Sequence, residues 1–287
     1  MKSYISVITP FRDNVEQVQA CVDSLKRQSY KKIEIILVSD RVKLEDKDGK
    51  VKAVYNPKFR GAGEKRNAGA KQAKGDVLFF LDSDCTVKPD ALVKLAKVFD
   101  EIDTDAISGK PLTPRQGNLL GIATGLEYED RFNLMGEGFV DIAATTCLAV
   151  RKEAFEAVGG FKDYSIGEAT GEDWDFSRKL TKAGYKIFHT NKVQVYHNHT
   201  SDSIKKWFKR RIEHSGYRVT HRRKYGEVFE QYFSLRMFVE TSLLFCVPVA
   251  LRMYEKSDRW QALTLPVFAL LRNIAWFVGV VKELTKS

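Results

Sequence analysis

Three apolar runs narrow the folds open to this chain. "ISVIT" (Ile5 to Thr9), "IEIILVSD" and "VLFFLD" are each of strand length and nearly free of polar residues, and segments with helical spacing lie between them. Continuous apolar runs of this kind mark strands of a parallel sheet covered by helices on both faces. Between the first two, Val15 to Gln28 puts Val15, Val18, Val22 and Leu25 on one helical face, with Asp13 or Asn14 as the cap. "VKAVYN" then gives a third strand, "GEKRNAGAKQAKG" a helix closed by Gly75, and "VLFFLD" a fourth strand. This is the order of a doubly wound nucleotide-binding half.

Beyond it, Pro89 and Asp90 open an amphipathic helix that runs to Glu101. "AISGKPLTP" and "VDIAATTCLAVRKEAFEAVGGF" read as further strands around a less regular helical stretch near 121–133. "GEDWDFSRKLTKAGYKIFHT" reads as a helix of about four turns, ended by Gly184, and then a strand. At 287 residues, 44% hydrophobic and 29% charged, the chain can bury a full core. Its four cysteines are widely spaced and form no CxxC pair, which argues against a disulfide framework or zinc module and for a reducing environment. "MKSYISVITPF" carries no secretory-signal pattern and reads as the start of the first core strand.

The formal charge of +10 is local, with nine Lys or Arg and one Glu between Lys205 and Lys224. There, Ile204, Trp207, Phe208 and Ile212 recur at helical spacing among basic residues, a pattern suited to an anionic membrane surface. Two apolar stretches follow, 241–251 and 262–281. The first is too short to span a bilayer and the second contains Pro266, Arg272 and Asn273, so helices lying at or dipping into one leaflet are expected. The competing expectation is a helical pair packed on the catalytic domain or a second subunit. The domain division expected is 1–200, catalytic, with halves of 1–100 and 101–200, and 201–287, basic and apolar helices. Basic residues beside the apolar stretches place the catalytic part on the cytoplasmic face.

In an open parallel sheet ligands bind beyond the carboxyl ends of the strands, and the acids fall there: Asp40 closes "EIILVSD", and Asp82 and Asp84 close "VLFFLDSD". Two carboxylates at i and i+2 can chelate a hard divalent cation, or one can hold the metal while the other meets a ribose. Mg²⁺ or Mn²⁺ bound this way commonly draws its other ligands from substrate phosphates. Lys65 and Arg66, near a glycine-rich helix start, can receive an anion, although neither the P-loop nor the GxGxxG pattern is present. Glu172, Asp173 and Asp175 cluster at the start of another helix, where the dipole keeps acids ionised, and capping is the expected role of Asp175.

Taken together, "ISVITPFRDN", "EIILVSD", "GEKRNAGAKQAKGDVLFFLDSDC", "AVRKEAFEAVGGF" and "GEDWDFSRKLTKAGYKI" resemble family 2 inverting glycosyltransferases of the GT-A fold over roughly Ser3 to His199. The resemblance implies an α/β, Rossmann-like, mainly parallel sheet with helices on both faces. It also implies site roles. Thr9 and Pro10 stand beside the nucleotide, Asp40 reads the uracil, and Arg66 and Asn67 lie near the diphosphate and base. Asp82 faces the ribose, Ser83 belongs to the same binding set, and Asp84 holds Mn²⁺ or Mg²⁺. Asp173 is the base and Glu172 orients the acceptor or the donor sugar. The imidazole completing the metal site is His197, or alternatively His199. The chain departs from the family at Ser39-Asp40-Arg41, where two successive acids are usual, so a single base-reading carboxylate remains.

The function expected is metal-assisted, inverting transfer of a sugar from a nucleotide diphosphate sugar, a UDP-sugar by resemblance, to a hydroxyl of a lipid-linked or polysaccharide acceptor. A nucleotidyltransferase also fits a doubly wound sheet with metal-binding aspartates. A basic nucleic-acid-binding protein fits the charge, but no recognised nucleic-acid motif is present, and nucleic acid is not expected as a partner. Loops around 110–141 and 163–170 are expected to set donor and acceptor specificity.

Overall fold

The computed structural model describes residues 3–44, 49–162, 171–199, 203–225 and 243–285, with backbone alone for 217–225 and 243–246. The expected specificity segment 163–170 lies outside the described residues. Two compact units are present, one of Met1–Leu112 with Arg131–His197 and one of Thr113–Asp130 with Asn198–Ser287.

The first unit is built on a nine-stranded sheet. Strands β1 (Ile5–Phe11), β2 (Ile33–Ser39), β3 (Val51–Tyr55) and β4 (Val77–Leu81) alternate with helices α1 (Val15–Lys26) and α2 (Ala62–Gln72). They pair in parallel in the order β3-β2-β1-β4, as the apolar runs require. Every residue of β1 and β4 is buried, because helices shield both faces.

Past β4 the sheet becomes mixed. The chain continues through β5 (Cys85–Val87), α3 (Ala91–Glu101), β6 (Ala106–Leu112), α4 (Leu119–Met135) and β7 (Gly138–Val140). It then forms β8 (Cys147–Arg151), α5 (Lys152–Ala157), α6 (Glu172–Lys182) and β9 (Ile187–His197). β8 inserts antiparallel between β4 and β6, β9 runs parallel to β6, and β5 and β7 run antiparallel to β9. "VDIAATTCLAVRKEAFEAVGGF" therefore divides into β7, β8 and the short helix α5. Helix α6 has 11 residues, three turns rather than four.

Two local expectations change and one holds. Asn14 stands at the N-cap of α1, but its side chain makes no capping bond and the chain bonds through its carbonyl, Val18 N–H to Asn14 O at 3.1 Å. Asp90 opens α3 at its N-cap as expected, and its carboxylate pairs with Lys94 at 2.7 Å. Gly75 does not end α2, whose C-cap is Ala73 in extended conformation. A Cβ at Gly75 would lie 2.5 Å from Tyr4 O and 2.7 Å from Ser6 N, so glycine is needed where the chain passes the backbone of β1.

In the second unit, α4 as far as Asp130 packs with α7 (Ile204–Tyr225), α8 (Leu243–Ser257), a 3₁₀ turn (Trp260–Thr264) and α9 (Leu265–Leu284). Its core holds Ile122, Ala123 and Leu126 against Ala250, Met253, Ala262 and Leu265. Ion pairs join the helices: Arg252 forks onto Asp130, and Arg272 pairs with Glu127. Of the apolar stripe expected to put α7 on a membrane, Trp207 turns inward while Ile204 stays exposed. Trp207 is buried, its indole N–H donates to Thr124 Oγ1 at 2.9 Å, and its ring meets Phe268 edge-on.

Candidate active site

The site grows from the turn that ends β4. Five buried apolar residues carry the chain to Leu81, and the backbone reverses there, with Cys85 N–H donating to Asp82 O at 3.1 Å. That turn holds Asp82, Ser83 and Asp84 at the sheet's carboxyl edge. β5 then pairs antiparallel with β9, setting Cys85 opposite His197. As a result Asp84 Oδ1 and His197 Nε2 stand 3.3 Å apart.

Helix α2 supplies the cations. Its packing on the sheet is close: a Cβ at Gly69 would fall 2.4 Å from Ile8 Cγ2, so only glycine seats the helix there. The depth of α2 brings Lys65 and Arg66 inward, and both are buried. Arg66 donates to Asp82 Oδ1 at 2.8 Å and to Glu172 Oε1 at 2.9 Å, bridging the β4 turn to the start of α6. Beneath it lies the Phe161 ring, 5.6 Å from the guanidinium carbon, which packs in turn on Phe80 and Phe176. The remaining oxygen of Asp82 accepts from Thr146 Oγ1 at 3.2 Å. Lys65 donates to Asp40 Oδ1 at 2.7 Å and to Phe11 O at 3.0 Å, and Arg12 reaches Asp40 Oδ2 at 3.8 Å.

A cavity of about 290 Å³ opens among Pro10, Arg12, Lys65, Arg66 and the Asp82-Ser83-Asp84 turn, with Phe11, Asn14 and Ala62 completing its wall. Of the binding and catalytic residues singled out in the sequence, Pro10, Lys65, Arg66, Asp82, Ser83 and Asp84 line it. Thr9 is buried within β1. Asn67 faces elsewhere, its amide exchanging two hydrogen bonds with the backbone of Phe161, at 2.8 and 2.9 Å. Asp40 is reached through Lys65. His199 falls in the second unit, where its ring packs edge-on against Tyr128, and His197 is the imidazole beside Asp84.

Some participants had no clear sequence signal. Asn14 donates to Ser83 Oγ at 3.0 Å and to Gln17 Oε1 at 2.8 Å, so a residue expected to cap a helix steadies the acidic turn instead. Thr146 and Phe161 are ordinary residues in sequence, and only the pairing of β8 with β4 and the aromatic cluster give them a place here.

Protonation follows from crowding. Asp173, partly buried at the start of α6, has its pKa raised to about 7, chiefly by desolvation and then by the Glu172 charge, with Arg66 and the Trp174 N–H pulling the other way. For His197, burial works against the charged form, but the Asp84 carboxylate outweighs it and the pKa is raised. Burial pushes the Cys85 thiol well up, with Asp84 and Asp82 adding to the effect.

Asp84, Cys85 and His197 place ligand atoms within 4.8 Å of one another. Of these, Asp84 and His197 offer a carboxylate oxygen and an imidazole nitrogen to one ion. Two atoms each about 2.1 Å from one ion stand about 3 Å apart, so the 3.3 Å separation fits a shared divalent cation.

Comparison with known proteins agrees with this geometry. The sequence model of "Glycosyl transferase family 2" matches residues 6–159. An uncharacterized glycosyltransferase of Haemophilus influenzae is 28% identical over 214 residues, covering 67% of this chain and 70% of its own. The O-antigen chain rhamnosyltransferase RfbN of Salmonella typhimurium is 24% identical over 194 residues, 62% of this chain and 61% of its own length. Among solved structures, the mannosyltransferase PcManGT from Pyrobaculum calidifontis, in complex with GDP-Man and Mn²⁺, superposes with a TM-score of 0.63 at 17% identity. That match covers 100% of this chain and 88% of the other, and it shows a shared GT-A-like fold. With the family model matched over more than half the chain and the acids gathered at the sheet's carboxyl edge, the chain belongs to glycosyl transferase family 2 and is a glycosyltransferase using a nucleotide-sugar donor.

Proposed function

We propose that the chain transfers a sugar from a UDP-sugar, with inversion and divalent-metal assistance, to a hydroxyl of a lipid-linked or growing polysaccharide acceptor at the cytoplasmic face of a membrane. The observation that carries the reading is the Arg66 bridge. One buried guanidinium ties Asp82, in the cavity wall, to Glu172, the neighbour of Asp173, so donor-side and acceptor-side acids belong to one constellation. The O-antigen role printed for one relative supports a saccharide acceptor.

Asp84 and His197 would hold Mn²⁺ or Mg²⁺, which when bound acts as a Lewis acid toward the leaving diphosphate. Lys65, Arg66 and Arg12 line the cavity with positive charge suited to a diphosphate. Asp82 is held by Arg66 and Thr146 in a fixed rotamer suited to a ribose hydroxyl, and Asp40, held by Lys65, receives an N–H of the base. Asp173 takes the proton of the acceptor hydroxyl as that oxygen attacks the anomeric carbon, opposite the departing diphosphate. A carboxylate with its pKa raised to about 7 accepts that proton more readily than an ordinary aspartate and is still substantially ionised at neutral pH. Glu172, fixed by Arg66, orients the acceptor or the donor sugar.

The test is a panel of UDP-, GDP- and dTDP-sugars, each with Mn²⁺ and with Mg²⁺, scored for nucleoside diphosphate release and product stereochemistry. The reading expects a UDP-sugar to turn over only with metal and with inverted configuration. Preferred turnover of a GDP-sugar removes the base assignment at Asp40, and retention removes the role of Asp173.

A further inference from the structure

Ser177 stands where α6 buries an apolar face. Its neighbours there are Phe176 and Leu180, and all three side chains are fully buried. A hydroxyl in such a place costs free energy unless it is hydrogen-bonded. Ser177 Oγ accepts the Ala143 N–H at 3.1 Å, and its one proton lies within reach of Asp173 O at 2.7 Å and Ala143 O at 3.2 Å. The shorter of those two contacts runs one helical turn back, to the backbone of the residue proposed as the base.

The partner of Ser177 leads to the donor side. Residues 141–146 run between β7 and β8 outside any strand. Ala143 is buried there, and both of its backbone polar groups face Ser177 Oγ. Three residues on, Thr146 Oγ1 donates to Asp82 Oδ2 at 3.2 Å, and Cys147 then enters β8 opposite Leu81, the last residue of β4. A path of contacts thus leads from Asp173 through Ser177, Ala143 and Thr146 to Asp82. It is separate from the Arg66 bridge, which joins Asp82 to Glu172.

We infer that Ser177 is a positioning residue for the transfer reaction: by tying the first turn of α6 to the 141–146 segment, it sets the Asp173 carboxyl at a fixed place relative to Asp82. This deepens the proposed role of Asp173 and rests on it. A base works only within hydrogen-bond reach of the hydroxyl it deprotonates, and a misplacement of about 1 Å can cost roughly 10²-fold in rate. Arg66 secures the neighbouring side chain of Glu172, whereas Ser177 secures the backbone that carries Asp173 itself. The charges acting on the Asp173 carboxyl come from Glu172 on its own helix, Arg66 of α2 and Asp82 of the β4 turn, so its titration reports whether it keeps that seat.

The test compares Ser177→Ala with a matched control, Ser6→Ala. Ser6, in β1, is also fully buried, and its hydroxyl accepts a backbone N–H, that of Gly75 at 2.9 Å. Nucleoside diphosphate release from UDP-, GDP- and dTDP-sugars is measured on the full chain with Mn²⁺, water serving as acceptor. The Asp173 carboxyl is titrated by carbon-13 NMR, its signal assigned by its loss in Asp173→Asn. Ser177→Ala is expected to lower kcat about tenfold or more with donor KM within about twofold. It is also expected to bring the Asp173 pKa down from about 7 toward the ordinary aspartate range, as the carboxyl leaves its desolvated seat. Ser6→Ala is expected to change neither, whatever either variant loses in melting temperature. Added to Asp173→Asn, Ser177→Ala is expected to cost no more than about twofold further, since a residue acting through Asp173 then has nothing left to position. Should Ser177→Ala fail to fold, Ser177→Cys, whose sulfur weakens both bonds, is read against the same expectations.

Parental kcat or an unmoved Asp173 titration in the folded Ser177 variant overturns the proposal. So does an equal loss of kcat in Ser6→Ala, or an undiminished loss when Ser177→Ala is added to Asp173→Asn. Parental turnover by Asp173→Asn alone removes the base and the proposal with it, so the two failures are read from different variants.

Discussion

Asp173 and Arg66 show how much of the site depends on single side chains. With Asp173 raised to about 7 in the folded chain against an ordinary aspartate near 3.8, the folded state holds its proton more tightly than the unfolded state does. Its contribution to stability is therefore full below about pH 4 and is lost as pH rises through about 7. Asp173→Asn is expected to be more stable than the parent at pH 8, by on the order of 1–3 kcal/mol, with the gap closing toward pH 4. Urea denaturation at both pH values reads this directly. In the parent, kcat/KM should fall below about pH 7 with a one-proton slope, and Glu172→Gln should move that limb to lower pH by removing a neighbouring negative charge. Arg66 is buried against two carboxylates and an aromatic face. Arg66→Ala leaves both acids without their shared cation and should cost about 3–5 kcal/mol. Arg66→Lys should recover little, because an ammonium cannot fork between Asp82 and Glu172 as a guanidinium does. Chemical denaturation of the two variants checks both statements.

Among the elements, the strands that apolar runs mark most strongly are those the structure returns. β1, β2 and β4 are buried end to end or nearly so, and burial is what an uninterrupted apolar run reports. The run does not report direction. The antiparallel entry of β8 between β4 and β6 depends on partners some 70 residues apart, Val77 opposite Arg151, and no local pattern announces it. For the same reason the pairing of Asp84 with His197 was expected only from the resemblance, since their approach follows from the register of β5 on β9, which no local pattern announces. Glycine positions divide similarly. Gly75 suggested a helix end on local grounds, whereas its true constraint is the backbone of β1. Gly69 makes the point testable: Gly69→Ala forces a methyl into Ile8 and should lift α2, costing about 1–3 kcal/mol in thermal or urea unfolding. Donor turnover should fall with it, because Lys65 and Arg66 are carried by that helix.

For the molecule as a whole, the proposed metal site forms only when β5 and β9 are paired, which would link metal affinity to folding. At 100 times its Kd, Mn²⁺ should add about 2.7 kcal/mol of stability. The rise in melting temperature should disappear in both Asp84→Ala and His197→Ala, and persist in His199→Ala. The central claim, that Asp173 removes the acceptor's proton in a transfer supported by metal at Asp84, is tested most directly by one measurement. Donor-to-acceptor transfer is followed with Mn²⁺ for the parent, Asp84→Ala and Asp173→Asn, after circular dichroism has shown all three folded. Transfer is expected in the parent alone, with Asp173→Asn lower by about 10²–10⁴-fold. Transfer at the parent's rate by a folded Asp173→Asn chain would contradict the account.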